Sequence, residues 1–108
     1  MTDPAALRFM ERTRPYMSDT DRQAVNRYTF ITYAGLKVLA QAMTACGREL
    51  TRVCTIANLR KVNGFQTDGL TAPVSFDNDR QLGGTEVRVY QVDLSDVTFK
   101  AVTSFAQY

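Results

Sequence analysis

One segment, from about Val25 to Ala45, constrains the fold most, because its apolar residues recur at helical spacing over an unusually wide arc. They are Ile31, Ala34, Gly35, Val38, Ala42 and Ala45, with Thr32, Leu36, Leu39 and Met43 on the adjoining strip. A helix at the surface of a domain needs only one apolar stripe. The wider arc predicts a helix that packs on two sides, and Gly35 within it predicts close approach by another backbone.

Local signals predict two further helices. The first begins at Pro4, with Asp3 as its N-cap, and stops at Arg14-Pro15. The third begins at Thr51, which can cap it, and runs to Asn63-Gly64. Met17 to Asp21 is predicted to be a polar linker, and Gly47 to end the long second helix.

The chain changes character after residue 64, where Gly, Pro, Asn, Asp and Thr become frequent and β-branched residues alternate with polar ones. This pattern predicts short strands at 71–76, 86–92 and 97–102. The last two are expected to form a hairpin across the four-residue loop Asp93 to Asp96. The predicted fold class is therefore α/β, with about three helices followed by a short strand and a β-hairpin.

Composition limits the classes of function. A chain of 108 residues, 44% hydrophobic and 22% charged, is typical of one small globular domain. Residues 1–62 carry ten Lys and Arg against five Asp and Glu, a bias that leaves a basic nucleic-acid-binding domain as one alternative. These basic residues are scattered singly, which favours a solvated surface over nucleic-acid binding.

No pattern in the chain predicts catalysis or metal binding. Histidine, the usual general base and metal ligand, is absent. The pairs Asp19/Asp21 and Asp77/Asp79 lie in polar turns, where Asp is favoured for bonding its own backbone. A calcium loop starting at Asp77 fails at its twelfth position, which is Arg88 instead of Glu. We therefore expect a protein that is not an enzyme and that needs no cofactor or metal.

The two cysteines, Cys46 and Cys54, are eight residues apart, near the end of the second predicted helix and within the third. Two helices joined by a short turn can bring such positions within disulfide reach. In an oxidising compartment a disulfide is expected, whereas in a reducing one the alternative is two buried thiols acting as small hydrophobes.

Three segments together resemble one protein family. Residues 69–93 (GLTAPVSFDNDRQLGGTEVRVYQVD) resemble the closing segment of the solute-binding proteins of ABC transporters, in the leucine/isoleucine/valine-binding branch. Residues 27–47 (RYTFITYAGLKVLAQAMTACG) resemble the aromatic-x-aromatic-x-Thr-Tyr-Ala helix near the end of the same proteins. Residues 3–16 (DPAALRFMERTRPY) resemble the helix before it. The order and spacing of these segments match over nearly the whole chain.

This resemblance implies a fold with two lobes that close on a ligand, and 108 residues cannot supply both lobes. The chain is then a single partial domain, with residues 1–64 as the helical part of one lobe and 65–108 as the crossover and terminal strands. The resemblance places Phe30 in the cleft against the side chain of the ligand, and Tyr28 matches the first aromatic residue of the motif. The groups that bind the α-ammonium and α-carboxylate belong to segments that this chain lacks, so the isolated chain is not expected to bind ligand.

The implied function is ABC-type uptake of branched-chain or other apolar amino acids or carboxylates, with a membrane permease as partner and the periplasm as location. The N-terminus MTDPAALRFMERTR lacks the features of a secretory signal, so this interpretation requires a mature or truncated form. A small non-enzymatic protein-interaction module is a further alternative. The wide apolar arc also predicts a homo-oligomer of the isolated chain, with Ile31, Val38 and Leu39 as contact residues.

Overall fold

The computed structural model describes residues 3–77, 83–84 and 86–107, and it shows a mixed α/β chain. The chain forms two compact units. Unit 1 consists of the residues up to Asn26 together with those from Glu86 onward, and unit 2 consists of residues 27–85. The boundary that the sequence suggested at residue 64 coincides with neither crossing between the units.

Helix α1 of unit 1 (Pro4–Thr13) begins where its local signals predicted. The Asp3 carboxylate accepts hydrogen bonds from the backbone N–H groups of Ala5, at 2.8 Å, and Ala6, at 3.1 Å. Pro4 occupies the first helical position, where a missing N–H costs no helical bond. A 3₁₀ turn, Arg14–Tyr16, follows the helix, so both ends of this prediction are confirmed.

The predicted polar linker is wrong in part, because it contains the start of a second helix, α2 (Asp19–Gln23). The Ser18 hydroxyl accepts a hydrogen bond from the Asp21 N–H at 3.1 Å, and the Asp21 carboxylate accepts one from the Ser18 N–H at 3.2 Å. This reciprocal capping satisfies two backbone donors that a short helix otherwise leaves unpaired.

Unit 1 also contains two antiparallel strand pairs within the described residues. They are β1 (Glu86–Val87) with β4 (Ala106–Gln107), and β2 (Tyr90–Asp93) with β3 (Thr98–Ala101). The predicted strand 86–92 is therefore wrong in extent. It breaks because the Val89 N–H donates to the side-chain oxygen of Thr103, at 3.0 Å, instead of a strand carbonyl. The hairpin is confirmed, with its loop one residue later than predicted, and β4 was not predicted.

The helices of unit 2 are α3 (Arg27–Cys46) and α4 (Arg52–Leu59), joined through a 3₁₀ turn at Gly47–Glu49. Gly47 ends α3 in the left-handed region, with φ of 55°, as its sequence position predicted. The Thr51 hydroxyl caps α4 by accepting from the Cys54 N–H at 3.1 Å. Helix α4 ends before Asn63-Gly64 because the chain turns away, so that the Val62 carbonyl accepts from the Phe76 N–H at 2.8 Å.

Helix α3 buries one stripe, not two. The buried residues are spaced four apart and face α4; they are Ala34, Val38, Ala42 and Cys46. Leu36, Leu39 and Met43, on the adjoining strip, are exposed. The prediction of packing on two sides is wrong for this chain, because unit 2 offers too little other structure to cover the second strip. Val38 is only 2% exposed and so cannot be the intermolecular contact residue that the sequence suggested.

The expectation for Gly35 is also wrong. A Cβ atom at this position would meet no atom within 4 Å, so no other backbone approaches it closely. The space beside Gly35 is instead part of an open groove, described below. Glycine in a helix interior costs roughly 0.5–1 kcal/mol relative to alanine, and here that cost is not offset by a close contact among the described residues.

The predicted strand at 71–76 is not a strand. Val74 forms an isolated bridge to Phe65, with N–O distances of 2.9 and 3.0 Å, but pairing does not extend from it. Pro73 has no N–H to donate. The residues before Pro73 turn around the buried Thr67. The Thr67 hydroxyl accepts a hydrogen bond from the Thr71 N–H at 3.0 Å and donates one to the Thr71 carbonyl at 2.9 Å.

Candidate functional site

The two predicted ligand-binding aromatic residues lie at the start of α3. Tyr28 is 63% exposed, and Phe30 is half-buried. Because they are two residues apart on a helix of 3.6 residues per turn, their side chains leave the axis about 160° apart. The structure therefore places both at the same helix end but not on the same face.

Arg27 adds a positive charge beside Tyr28. Its Nη2 atom donates a hydrogen bond to the Tyr28 hydroxyl at 2.8 Å, and its guanidinium carbon lies 4.8 Å from the centre of the tyrosine ring. Both contacts are exposed to solvent, where a cation–π contact contributes about 0.5–1 kcal/mol. The start of α3 thus combines an aromatic surface with a cation, an arrangement that was not predicted from the sequence.

A second candidate site, the α3–α4 groove, is an open groove of about 550 Å³ in unit 2. It is lined by Gly35, Val38, Leu39, Ile56, Leu59, Arg60, Val74 and Phe76. Neither Tyr28 nor Phe30 is among these residues. The spacing of Ile56, Leu59 and Arg60 on one side of a helix was readable from the sequence, but their position opposite Gly35 and Leu39 depends on tertiary structure.

Among the described residues, Arg60 is the only ionisable one that lines the α3–α4 groove. It is exposed, and it forms no salt bridge with any residue in the described part of the chain. The groove thus presents an apolar floor with one solvated positive charge at its edge. This combination can hold an apolar side chain or tail, and the described residues that line it include no nucleophile or general base.

The structure joins the Sγ atoms of Cys46 and Cys54, with their Cα atoms 6.1 Å apart. The Asn58 side-chain amide lies over this bond. It donates to the Ala42 carbonyl at 3.1 Å, and its nitrogen is 3.2 Å from the Cys46 sulfur. The disulfide and Asn58 together hold the end of α3 against α4, which fixes one end of the two-helix packing that forms the groove.

Unit 1 contains a charged contact with a structural role. The Arg88 guanidinium is 3.5 Å from the Asp3 carboxylate and 4.2 Å from the centre of the Phe105 ring. The same Asp3 carboxylate caps α1. Arg88 therefore connects the start of the chain to its terminal strands, and its charge is already engaged.

The carboxylates of the Asp19/Asp21 pair and of Asp77 have local partners. Asp19 pairs with Arg22, Asp21 caps α2, and Asp77 accepts a hydrogen bond from the Asn63 amide at 2.6 Å. Asp79 lies outside the described residues. Across 3–77, 83–84 and 86–107, His, Cys, Asp and Glu residues do not gather in threes at a spacing that suits a metal ion.

The most perturbed carboxylate is Asp93, at the end of β2. Its ion pair with Lys100 and hydrogen bonds from Ser95 lower the pKa of Asp93 to about 2, from an ordinary value of 3.8. The group is exposed, so the shift reflects local pairing and not burial. Because the folded pKa is depressed, the pairing supports the hairpin above pH 3.8 and is lost as the pH falls through about 2.

Replacing Lys100 with glutamine is expected to raise the pKa of Asp93 towards 3.8, because Lys100 is the largest cause of its depression. Carbon-detected NMR titration of the Asp93 carboxyl measures this directly. Lys37→Gln is the matched control: Lys37 pairs with Asp68 in unit 2, at 2.8 Å, so its loss should leave Asp93 unchanged. If Lys100→Gln left the pKa of Asp93 unchanged, the ion pair between Asp93 and Lys100 would be contradicted.

The chain matches no protein-family model, no curated protein and no solved structure. Within the described residues, no helix has both the length and the apolarity needed to cross a membrane. The resemblance to solute-binding proteins therefore stays a prediction that rests on the sequence motifs.

Proposed function

We propose that the chain is the C-terminal portion of a two-lobe solute-binding protein of an ABC-type transporter. The parent would capture a small apolar amino acid or carboxylate without covalent chemistry, in the periplasm, and deliver it to a membrane permease. The observation that best supports this proposal is the order and spacing of three segments, 3–16, 27–47 and 69–93, which resemble successive parts of this family.

In proteins whose lobes close about a hinge, the chain passes from one lobe to the other and back. This chain leaves unit 1 after Asn26 and returns to it at Glu86. Tyr28 and Phe30 thus follow the first crossing by only a few residues. The resemblance of residues 27–47 to the aromatic motif of this family favours a ligand-binding role for the start of α3.

The chemistry of Phe30 suggests what it would contact. Its ring lies on α3 and is half-buried, so part of its surface is exposed to solvent. A phenyl ring offers apolar surface and no formal charge. In this proposal Phe30 therefore binds the side chain of the ligand, and other segments of the parent bind its ammonium and carboxylate groups.

The isolated chain is expected to bind leucine no better than millimolar, because most polar anchors are missing. A millimolar dissociation constant corresponds to about −4 kcal/mol of binding free energy. Titrating leucine into isotopically labelled protein should give weak, fast-exchange NMR shifts confined to the start of α3 around Phe30. Glycine, which has no apolar side chain, should give none there.

Phe30→Ala should abolish these shifts, whereas Tyr16→Ala, which removes an exposed aromatic ring in unit 1, should not. Saturation at micromolar leucine would show that the chain is a complete binding unit and would overturn its assignment as a portion of a larger site. Shifts that avoid the start of α3 would overturn the role of Phe30.

A further inference from the structure

We infer that the isolated chain forms a two-fold symmetric homodimer through one apolar surface of unit 2, and this inference does not depend on the proposed function. The surface, which we name the α3–α4 face, consists of exposed apolar side chains of α3 and α4, two of which, Leu39 and Ile56, line the α3–α4 groove. Its exposed apolar residues are Ile31, Leu36, Leu39, Met43, Val53 and Ile56. The partner that fits it is a second copy of the same chain, for the following three reasons.

The first reason is area. The exposed parts of these six side chains amount to on the order of 600 Å², at the upper end of what a typical monomer leaves as one apolar patch. A standard interface buries about 800 Å² on each partner. The α3–α4 face is therefore smaller than a standard interface, which favours a weak or transient dimer over a permanent one.

The second reason is charge. Between Tyr28 and Cys46, α3 carries a single charged residue, Lys37. It precedes Leu39 by two positions, so its side chain points about 160° away from Leu39 around the helix. Its ammonium is also paired with Asp68 at 2.8 Å. Bringing two copies of this face together therefore places no like charges of α3 against each other. The charge that the end of α4 adds at the edge of the groove, Arg60, is exposed, and its long side chain can keep the guanidinium in water at the rim of the contact.

The third reason is shape. Leu36 is 60% exposed and follows Gly35 on α3, about 100° further around the helix. A Cβ atom at Gly35 would meet no atom within 4 Å. A projecting side chain next to a gap is self-complementary under a two-fold axis. Leu36 of one copy can lie over Gly35 of the other, while the reverse contact forms at the same time. No described atom lies within 4 Å of the Cβ position of Gly35, so this position provides the space that Leu36 of the second copy occupies.

Sedimentation equilibrium at tens of micromolar tests the inference. The wild-type chain of 12.1 kDa should sediment as a mixture of monomer and a species of twice that mass. Leu36→Glu should weaken the dimer at least tenfold, because it places a carboxylate in the contact. Gln41→Glu is the matched control: Gln41 is exposed on α3, about 160° from Leu39, and it should leave the dimer unchanged.

Gly35→Leu separates loss of contact from loss of folding. It replaces a helix-destabilising residue in open space, so the chain should stay folded by circular dichroism, while the new side chain fills the space for Leu36 of the second copy and weakens the dimer. A wild-type chain that stays monomeric would overturn the inference. So would an octanoate complex of that monomer with NMR shifts at Arg60 and Leu39, which would assign the groove to an apolar carboxylate.

Discussion

Phe9→Ala is expected to destabilise unit 1 by about 3–5 kcal/mol, the usual cost of removing a buried phenyl ring. Phe9 is 6% exposed, and the other buried residues of α1 are the small Ala5 and Ala6. Small neighbours cannot move in to fill the cavity, so the cost should not be relieved by collapse. The total free energy of unfolding of a small domain is only about 5–15 kcal/mol. The substitution would therefore remove a large part of it.

Hydrogen exchange with mass spectrometry gives the sharpest measurement. Peptides from α1 and from residues 86–107 should lose protection in Phe9→Ala, because both belong to unit 1. Leu7→Ala is the control on the same helix: Leu7 is 51% exposed and its loss should cost less than about 1 kcal/mol. Equal effects of the two substitutions would mean that Phe9 does not form the core of unit 1.

Reduction of the Cys46–Cys54 disulfide is expected to lower the free energy of unfolding by about 2–3 kcal/mol, from the chain entropy of the short loop that it closes. Helix α4 has only eight residues, too few to be stable without tertiary contacts. Its contact with α3 at this end depends on the disulfide and on Asn58. The loss should therefore appear as fraying of α4 and as a lower melting temperature.

The Cys46→Ala/Cys54→Ala variant provides the control, since reductant should lower the melting temperature of the wild-type chain and leave that of the variant unchanged. Intact mass after alkylation measures the redox state itself. Protein from an oxidising compartment should take up no alkyl group before reduction and two after it. Two thiols that react freely in such material would contradict the disulfide.

The helix ends were predictable because the signals that set them are local. Asp3-Pro4, Thr51 and Gly47 act within one helical turn of their own positions, by capping exposed N–H groups or by allowing a positive φ. The strand ends were less predictable. The Val89 N–H bonds the side chain of Thr103 instead of a strand carbonyl, although the Val89 carbonyl still accepts from the Val102 N–H at 2.9 Å. Thr103 is far from Val89 in sequence.

Of the two candidate sites, one was predicted from the sequence and the other depends on tertiary structure. The aromatic residues Tyr28 and Phe30 were singled out by a sequence motif, and their position at the start of α3 follows from local helix formation. The α3–α4 groove was not predicted, because it combines residues of two helices with Val74 and Phe76. The sequence predicted close packing at Gly35. The spacing of the apolar residues around Gly35 does not show whether another backbone lies next to it.

By itself the sequence determined the N-caps of α1 and α4, the end of α3 at Gly47, the presence of the hairpin and the apolar arc of the long helix. Hydrogen bonds and side-chain periodicity within a few residues decide these features. Only the tertiary structure decided which part of that arc is buried. Val38 faces α4 and is buried, whereas Leu36 and Leu39 are left in water. The physical reason is that burial depends on what the rest of the chain can bring against a surface, and that partner is not encoded in local spacing.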